Sequence, residues 1–284
     1  MKIGLINIAL QLYKLNKFKN LNNVIDLGSK ELRVSYSQLV YAFKQANINF
    51  DKKNFNILKK FPKGKRISTK FFWKELGTKN HFCLDINKEQ NSLYHDLNYP
   101  LKNNKLLNKF DLVTDFGNNE HIFNIGEAYK TMYQICKKNG FMWIFQSVYN
   151  GNGFYNFDQS FFEGLAAANQ MSIVHSCYLV HTNEYEQFVI PCNKDLLNTF
   201  DLAKVNNISI SYIFRKTNNK NFKYYYQYNL KNKNEVFNLN FINSSIASEK
   251  IYIPLKKINE MKKQAKKGDK ASINYLRAIN VNFN

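Results

Sequence analysis

The stretch Asn23-Val-Ile-Asp-Leu-Gly28 decides the fold class of this chain. It is a short apolar run that ends at a glycine, which is typical of a buried strand followed by a tight turn. Apolar residues then recur at helical spacing from Leu32 to Ala46. A strand, a turn and a helix in this order predict the first unit of an α/β sheet.

Strand-like and helix-like segments continue to alternate after this unit, and several of the strands are apolar throughout. Because such strands are buried on both faces, we expect a Rossmann-like α/β fold with a mostly parallel, seven-stranded sheet and helices on both faces. The helix after the fourth strand is predicted to end at Asn139-Gly140. The further predicted strands are His81 to Asp85, Ser92 to Asp96, Phe110 to Asp115, Phe141 to Val148, Ser172 to His181 and Ile208 to Arg215.

Three parts of the chain are predicted around this sheet. Residues 1–22 form an N-terminal helix, and residues 23–215 form the main domain, with a basic insertion at about 51–70. Residues 216–284 form a basic, helical C-terminal extension. The apolar N-terminal segment resembles a signal peptide, but no small-residue cleavage site follows it, so we expect it to be retained. No apolar run is long enough to predict a membrane-spanning helix.

The formal charge of +20 is unevenly distributed, because both flanks are basic and residues 75–200 are mildly acidic. The basic flanks indicate either an anionic partner such as RNA or a lysine-rich surface that follows from AT-rich codon usage. The four cysteines have neither zinc spacing nor disulfide spacing. We therefore expect reduced thiols, no metal site and a cytoplasmic protein.

Four predicted strands end in an aspartate, namely Asp26, Asp85, Asp96 and Asp115. In an open α/β sheet, ligands bind beyond the carboxyl ends of the strands, so these side chains could line one pocket for ribose hydroxyls and an adenine amine. The first turn, which begins at Gly28, lacks the GxGxxG pattern of pyrophosphate-binding loops, and the chain has no P-loop sequence. A nucleoside ligand without a phosphate fits this pattern better.

These residues together resemble the class I S-adenosylmethionine-dependent methyltransferases. The resemblance covers about residues 20–215 and is strongest to a bacterial and phage group in which a Gly-Ser element replaces the glycine-rich loop and an HGFYN-like box follows the fifth strand. The matching segments are Val24-Ile-Asp-Leu-Gly28, Cys83-Leu-Asp85, His95-Asp-Leu-Asn98, Phe110-Asp-Leu-Val-Thr-Asp-Phe-Gly117, Glu120-His121 and Asn152-Gly-Phe-Tyr-Asn-Phe157.

The resemblance implies a role for each matching residue toward S-adenosylmethionine. Asp26, Gly28 and Ser29 would flank the methionine part, and Asp85 would accept bonds from the ribose hydroxyls. Asp96 would contact the adenine amine, and Ile86 and Leu97 would contact the adenine ring. Asp115 and Phe116 would line the floor beneath the sulfonium.

The acceptor side of the site is predicted from the two last motifs. His121 could deprotonate an acceptor, since a neutral imidazole accepts a proton near neutral pH, or it could orient the helix that follows. Glu120 is a candidate catalytic carboxylate that more readily supports the helix start. Asn152, Tyr155 and Asn156 belong either to a substrate-facing loop or to a packed structural loop.

Three functions remain open from the sequence. The favoured one is a methyltransferase that acts on a small molecule or a glycan precursor. The basic flanks and the Lys-Tyr-rich segment at residues 221–226 instead indicate an RNA-binding protein or an RNA methyltransferase with weak, non-specific nucleic-acid binding. The incomplete glycine loop would also suit a catalytically inactive scaffold. The sequence predicts neither the acceptor nor the oligomeric state.

Overall fold

The computed structural model describes residues 1–60, 67–87, 89, 92–181, 187–198, 202–225, 240–241, 255–270, 272–273 and 276. The helices are α1 (Ile3–Lys14), α2 (Tyr36–Gln45), α3 (Lys52–Lys60), α4 (Lys70–Glu75), α5 (Ile125–Ile135), α6 (Gln159–Ala168), α7 (Lys194–Leu197) and α8 (Leu255–Lys266). The strands are β1 (Asn23–Leu27), β2 (Asn80–Asp85), β3 (Leu93–Tyr94), β4 (Phe110–Phe116), β5 (Cys136–Tyr149), β6 (Ser172–His181), β7 (Gln187–Pro191), β8 (Asn207–Arg215) and β9 (Asn240–Phe241).

The strands form one sheet in the order β3-β2-β1-β4-β5-β8-β6-β7. The five strands from β3 to β5 pair in parallel, whereas β8 is antiparallel to both β5 and β6. The Rossmann-like, mostly parallel architecture is thus confirmed, but the predicted number of seven strands is wrong. Within the described residues, β7 extends the edge by pairing antiparallel with β6, and the two-residue β9 also pairs with β6.

The predicted helix end at Asn139-Gly140 is also displaced. Helix α5 ends at Ile135, and the chain enters β5 at Cys136. Asn139 has a positive φ of 65°, and its N–H donates to the Lys216 carbonyl, while Gly140 accepts from the N–H of Lys216. The Asn-Gly pair therefore lies within the sheet, because the end of β8 supplies hydrogen-bond partners that are remote in sequence.

The sheet buries both of its faces, as the apolar strands predict. All seven residues of β4 are buried. One core lies under α5 and α6 and includes Tyr129 and Phe162, and the other lies under α1, α2 and α4 and includes Trp73 and Trp143. Helix α1 is buried along most of its length. No helix within the described residues is long and apolar enough to cross a membrane.

The chain order places a topological switch point between β1 and β4. From β1 the chain proceeds to β2 and β3 on one side, and it then returns to β4 and β5 on the other side. In doubly wound sheets the crevice at this point, beyond the carboxyl ends of the strands, is where ligands bind. A ligand site is therefore expected at the turns after β1, β2 and β4.

Candidate functional site

The turn after β1 is narrow at Gly28. This residue has a φ of +79°, and its N–H donates to the Leu84 carbonyl over 2.8 Å. A Cβ atom at Gly28 would collide with the side-chain oxygen of Asn118, which comes from the turn after β4. Glycine is required here both by the left-handed backbone and by the close approach of the two turns.

The end of β2 is tied to this turn by Asp85. Its carboxylate accepts the Ser29 N–H over 2.7 Å and the Asn87 N–H over 3.2 Å. The next residue, Ile86, is 63% exposed. A half-buried carboxylate beside an exposed aliphatic side chain can bind a hydroxylated ring and an adjacent flat ring.

Asp26 lies in the same turn region but faces the protein interior. The side chain is fully buried, and its oxygens accept hydrogen bonds from the hydroxyls of Thr69 and Thr114. The third partner is His81, whose Nε2 lies 3.0 Å from the carboxylate. Burial alone would raise the pKa of Asp26, but His81 and the hydrogen bonds outweigh it and hold the pKa below its usual value. The carboxylate is thus ionised and already saturated with protein partners.

Cys83 completes a group of potential metal ligands with Asp26 and His81. Their ligand atoms lie within 4.8 Å of one another. However, burial and the nearby Asp26 raise the pKa of the Cys83 thiol to about 12. Since a thiol must lose its proton to bind a metal, and since threonine hydroxyls already bind Asp26, this cluster is best described as a structural hydrogen-bond network.

Asp115 lies at the end of β4 and closes the turn that follows. Its carboxylate accepts the N–H groups of Asn118 and Asn119, each over 3.1 Å, and the side-chain amide of Gln146. Burial raises the pKa of Asp115 to about 6, although Lys30 and these hydrogen bonds oppose the shift. The next residue, Phe116, is 8% exposed and contributes to the wall of the adjacent cavity.

Glu120 joins this turn to the loop after β5. Its carboxylate accepts the Ser147 N–H over 2.9 Å, and its carbonyl accepts the Phe154 N–H over 2.7 Å. A Cβ atom at Gly153 would lie 2.6 Å from the Glu120 carbonyl oxygen, so the glycine allows the loop to pack flat against it. His121 is nearly half exposed, with Nε2 3.7 Å from the Glu120 carboxylate. Glu120 is therefore held in place, whereas the imidazole is accessible.

A cavity of about 430 Å³ opens beside the switch point. It is mainly polar in character, because cationic, anionic and amide side chains dominate its walls. The sequence-predicted residues in its wall are Ser29, Phe116, Glu120, His121 and Asn152. The other polar residues include Lys2, Lys30, Glu31, Arg33, Asn150, His181 and Asn207.

The other predicted residues lie elsewhere. Tyr155 and Asn156 line a second cavity of about 490 Å³ between α5 and α6. Asp96 lines a third cavity of about 370 Å³, and its carboxylate accepts the backbone and side-chain N–H groups of Asn98, each over 2.9 Å. Leu97 is buried in the core. The structure thus divides the predicted substrate loop between two cavities and separates Asp96 from the polar one.

Several residues that shape these cavities are not assigned in the sequence analysis. Lys30 was not predicted, although its place two residues after Gly28 could have indicated it. The second cavity is closed by Tyr224 and Tyr225, which pack on Gly126 and Gly164, respectively. Only the fold reveals this pairing of tyrosines with glycines.

No protein-family model matches the sequence, and no curated protein matches it. Solved structures with a similar fold include S-adenosylmethionine-dependent methyltransferases. One is the 1,6-didemethyltoxoflavin-N1-methyltransferase of Burkholderia thailandensis, solved with bound 1,6-didemethyltoxoflavin and S-adenosylhomocysteine (11% identity, TM-score 0.41, 75% of this chain and 78% of that chain).

Two other solved structures show the same degree of similarity. One is a methyltransferase from Archaeoglobus fulgidus (12% identity, TM-score 0.40, 75% of this chain and 93% of that chain). The other is a TehB-like methyltransferase from Corynebacterium glutamicum (11% identity, TM-score 0.36, 73% of this chain and 87% of that chain).

Proposed function

We propose that this chain is an S-adenosylmethionine-dependent methyltransferase that acts on a small molecule or a glycan precursor. The observation that carries the proposal is the link between Asp85 and the Ser29 N–H at the switch point. This bond places a half-buried carboxylate and the exposed Ile86 beside the glycine turn, which is the arrangement that a nucleoside requires at the end of the second strand.

The residues at the switch point fit the cofactor by their chemistry. Gly28 lets the turns after β1 and β4 approach closely, because a Cβ there would meet the Asn118 side chain, and the buried side chain of Asn119 has no hydrogen-bond partner among the described residues. When bound, the cofactor would supply an activated methyl group. In this proposal Asp85 holds the ribose, Ile86 contacts the adenine ring, and Gly28, Ser29 and Phe116 border the remainder.

The acceptor would bind in the polar cavity. His121 and Asn152 both contribute to its wall, and the Glu120 carboxylate lies 3.7 Å from Nε2 of His121. Alignment of the acceptor with the methyl group can supply most of the rate enhancement in such a displacement. In this proposal His121 holds the acceptor and takes its proton where the acceptor is a hydroxyl or an ammonium group.

Tyr155 and Asn156 remain candidate substrate contacts, but through the second cavity. The Tyr155 hydroxyl donates a hydrogen bond to the Phe123 carbonyl over 2.7 Å, and the side-chain oxygen of Asn156 accepts one from the Gly151 N–H over 3.2 Å. Both side chains therefore also support the loop that separates the two cavities. A bulky acceptor in the polar cavity would extend toward this second cavity.

The proposal is tested by calorimetric titration with S-adenosylmethionine, S-adenosylhomocysteine and NAD. We expect binding of the first two and none of the third. Asp85→Ala should lower the affinity about tenfold or more, because it removes charge-assisted hydrogen bonds worth roughly 1.5–3 kcal/mol each. Asp51→Ala is a control, because Asp51 is an exposed carboxylate just before α3 that lines none of the three cavities. Binding of NAD alone would refute the proposal.

A further inference from the structure

Lys30 occupies the centre of the crevice between the turns after β1 and β4. Its backbone carbonyl is held by the Thr69 N–H over 3.1 Å, which fixes the start of the side chain. From there the half-buried side chain reaches the opposite turn, where Nζ donates to the Gly117 carbonyl over 3.4 Å. The same ammonium lies 3.2 Å from the place that a Cβ of Gly28 would occupy. Lys30 therefore lies at the switch point and in the wall of the polar cavity.

Four carboxylates act electrostatically on this ammonium without forming an ion pair with it. Burial lowers the pKa of Lys30, while Asp115, Asp26, Asp85 and Glu120 act in the opposite direction and favour its charged form. None of the ion pairs within 4.0 Å in the described part of the chain involves Lys30. The four carboxylates have their own hydrogen-bond donors in neighbouring threonines, backbone amides and Gln146.

The ammonium of Lys30 therefore has unused hydrogen-bonding capacity. It carries three N–H donors and, among the described residues, forms one hydrogen bond, to Gly117. A partly desolvated cation of this kind gains most from a negatively charged acceptor. Because Glu120 shares the wall of the polar cavity with Lys30 and Asp85 lies against the neighbouring Ser29, the best ligand is a zwitterion whose carboxylate meets Lys30 and whose positive charges face these two acidic groups.

We propose that Lys30 binds the α-carboxylate of the amino-acid part of S-adenosylmethionine and thereby makes the site select ligands that carry this group. The inference rests on the proposed function. S-Adenosylmethionine has the required charge pattern, since its carboxylate lies on the same chain as an ammonium and a sulfonium group. Lys30 is then a specificity-determining residue that takes no part in the transfer itself.

The test compares S-adenosylhomocysteine with methylthioadenosine, which has the same nucleoside and thioether but no amino-acid part. The wild-type chain should bind the former at least tenfold more tightly in calorimetry. Lys30→Met should reduce affinity for S-adenosylhomocysteine by about 10- to 100-fold, as loss of one or two charge-assisted bonds predicts. Its affinity for methylthioadenosine should stay within about threefold. Lys30→Arg, which keeps the charge, should retain part of the preference.

Lys44→Met is the matched control, since it removes the same charge from an exposed position of α2. It should behave as the wild type, and thermal unfolding of each variant checks folding. The decarboxylated analogue of S-adenosylhomocysteine tests the same contact in the unaltered chain, where it should bind as weakly as methylthioadenosine.

The outcomes separate the two proposals. If the wild type binds neither nucleoside, the proposed function fails and the role of Lys30 fails with it. If the wild type binds both nucleosides equally, or if Lys30→Met weakens both alike, the cofactor proposal stands and the role of Lys30 is refuted. Tighter binding by Lys30→Met would likewise refute it, because Lys30 would then compete with the cofactor.

Discussion

The interior and the open side of the crevice use the same residue type in different ways. Asp26 and Asp115 are fully buried, and every oxygen that they present accepts hydrogen bonds from the protein. Asp85 and Asp96 are half-buried and lie where solvent reaches them. Asp85 accepts the Ser29 N–H from the neighbouring turn and the Asn87 N–H from its own turn, and Asp96 accepts the Asn98 N–H from its own turn. The difference separates strand-end aspartates that support the fold, because protein partners enclose them, from those that solvent reaches, of which we propose Asp85 as a ligand contact.

The largest expected effect concerns the interior side. Asp26→Ala should lower the free energy of unfolding by about 3–5 kcal/mol, because it leaves the buried partners Thr69, Thr114 and His81 unpaired. Asp85→Ala should cost less than about 1 kcal/mol in the same urea titration, since its backbone partners can bond to water. Equal losses for the two variants would remove the distinction between the two sides.

A pH titration of stability sharpens the same comparison through Asp115. Burial raises the pKa of this carboxyl to about 6, whereas an unfolded chain has the ordinary value of about 3.9. The folded state therefore binds this proton more tightly. The resulting stabilisation is complete below about pH 4 and is lost as the pH rises through about 6. The change amounts to at most about 3 kcal/mol.

Asp115→Asn should flatten this part of the stability profile. The variant keeps an oxygen for the N–H groups of Asn118 and Asn119. Gln146 can rotate its amide to accept from the new side chain, because its Oε1 has no partner among the described residues. An unchanged profile between about pH 4 and 7, measured by urea unfolding, would contradict the raised pKa of Asp115.

On the open side, His121→Ala should lower turnover by about tenfold or more and leave cofactor affinity within about twofold. The reason is that His121 lines the polar cavity but lies on the turn after β4, away from Asp85. Glu120→Gln is the companion variant, since it keeps the acceptor for the Ser147 N–H. Normal turnover by His121→Ala would mean that the imidazole only supports the turn.

The smallest effect is expected at the basic C-terminal part. Reversing the charges of Lys262, Lys263, Lys266 and Lys267, in and just after α8, should leave cofactor affinity unchanged and abolish weak RNA binding. We expect that binding to fall by about 0.7–0.9 log units per log of salt for each phosphate contacted. Sub-micromolar RNA binding that survives about 150 mM salt, with methyl transfer to the RNA, would favour the RNA alternative over a small acceptor.

Part of the C-terminal extension, and residues 61–66 of the basic insertion, lie outside the described residues. Their predicted roles therefore stay predictions. The same holds for the Lys-Tyr-rich segment beyond Tyr225.

Local patterns in the sequence determined the class of fold and the location of the crevice. Apolar runs such as Phe110 to Asp115 can only be buried between two layers, and Gly28 allows a backbone turn that other residues avoid. These properties depend on neighbours along the chain. The alternation of strands and helices could therefore be predicted, as could the edge of the sheet at which the aspartates lie.

Only the tertiary structure decided which residues share a site. Thr69 and Thr114 reach Asp26 from segments that are 43 and 88 residues away along the chain. The antiparallel pairing of β7 and the crossing of Lys30 to Gly117 likewise depend on which elements pack side by side. Burial and charge at a position are set by these distant neighbours, so four similar aspartates acquire different roles that the sequence alone does not distinguish.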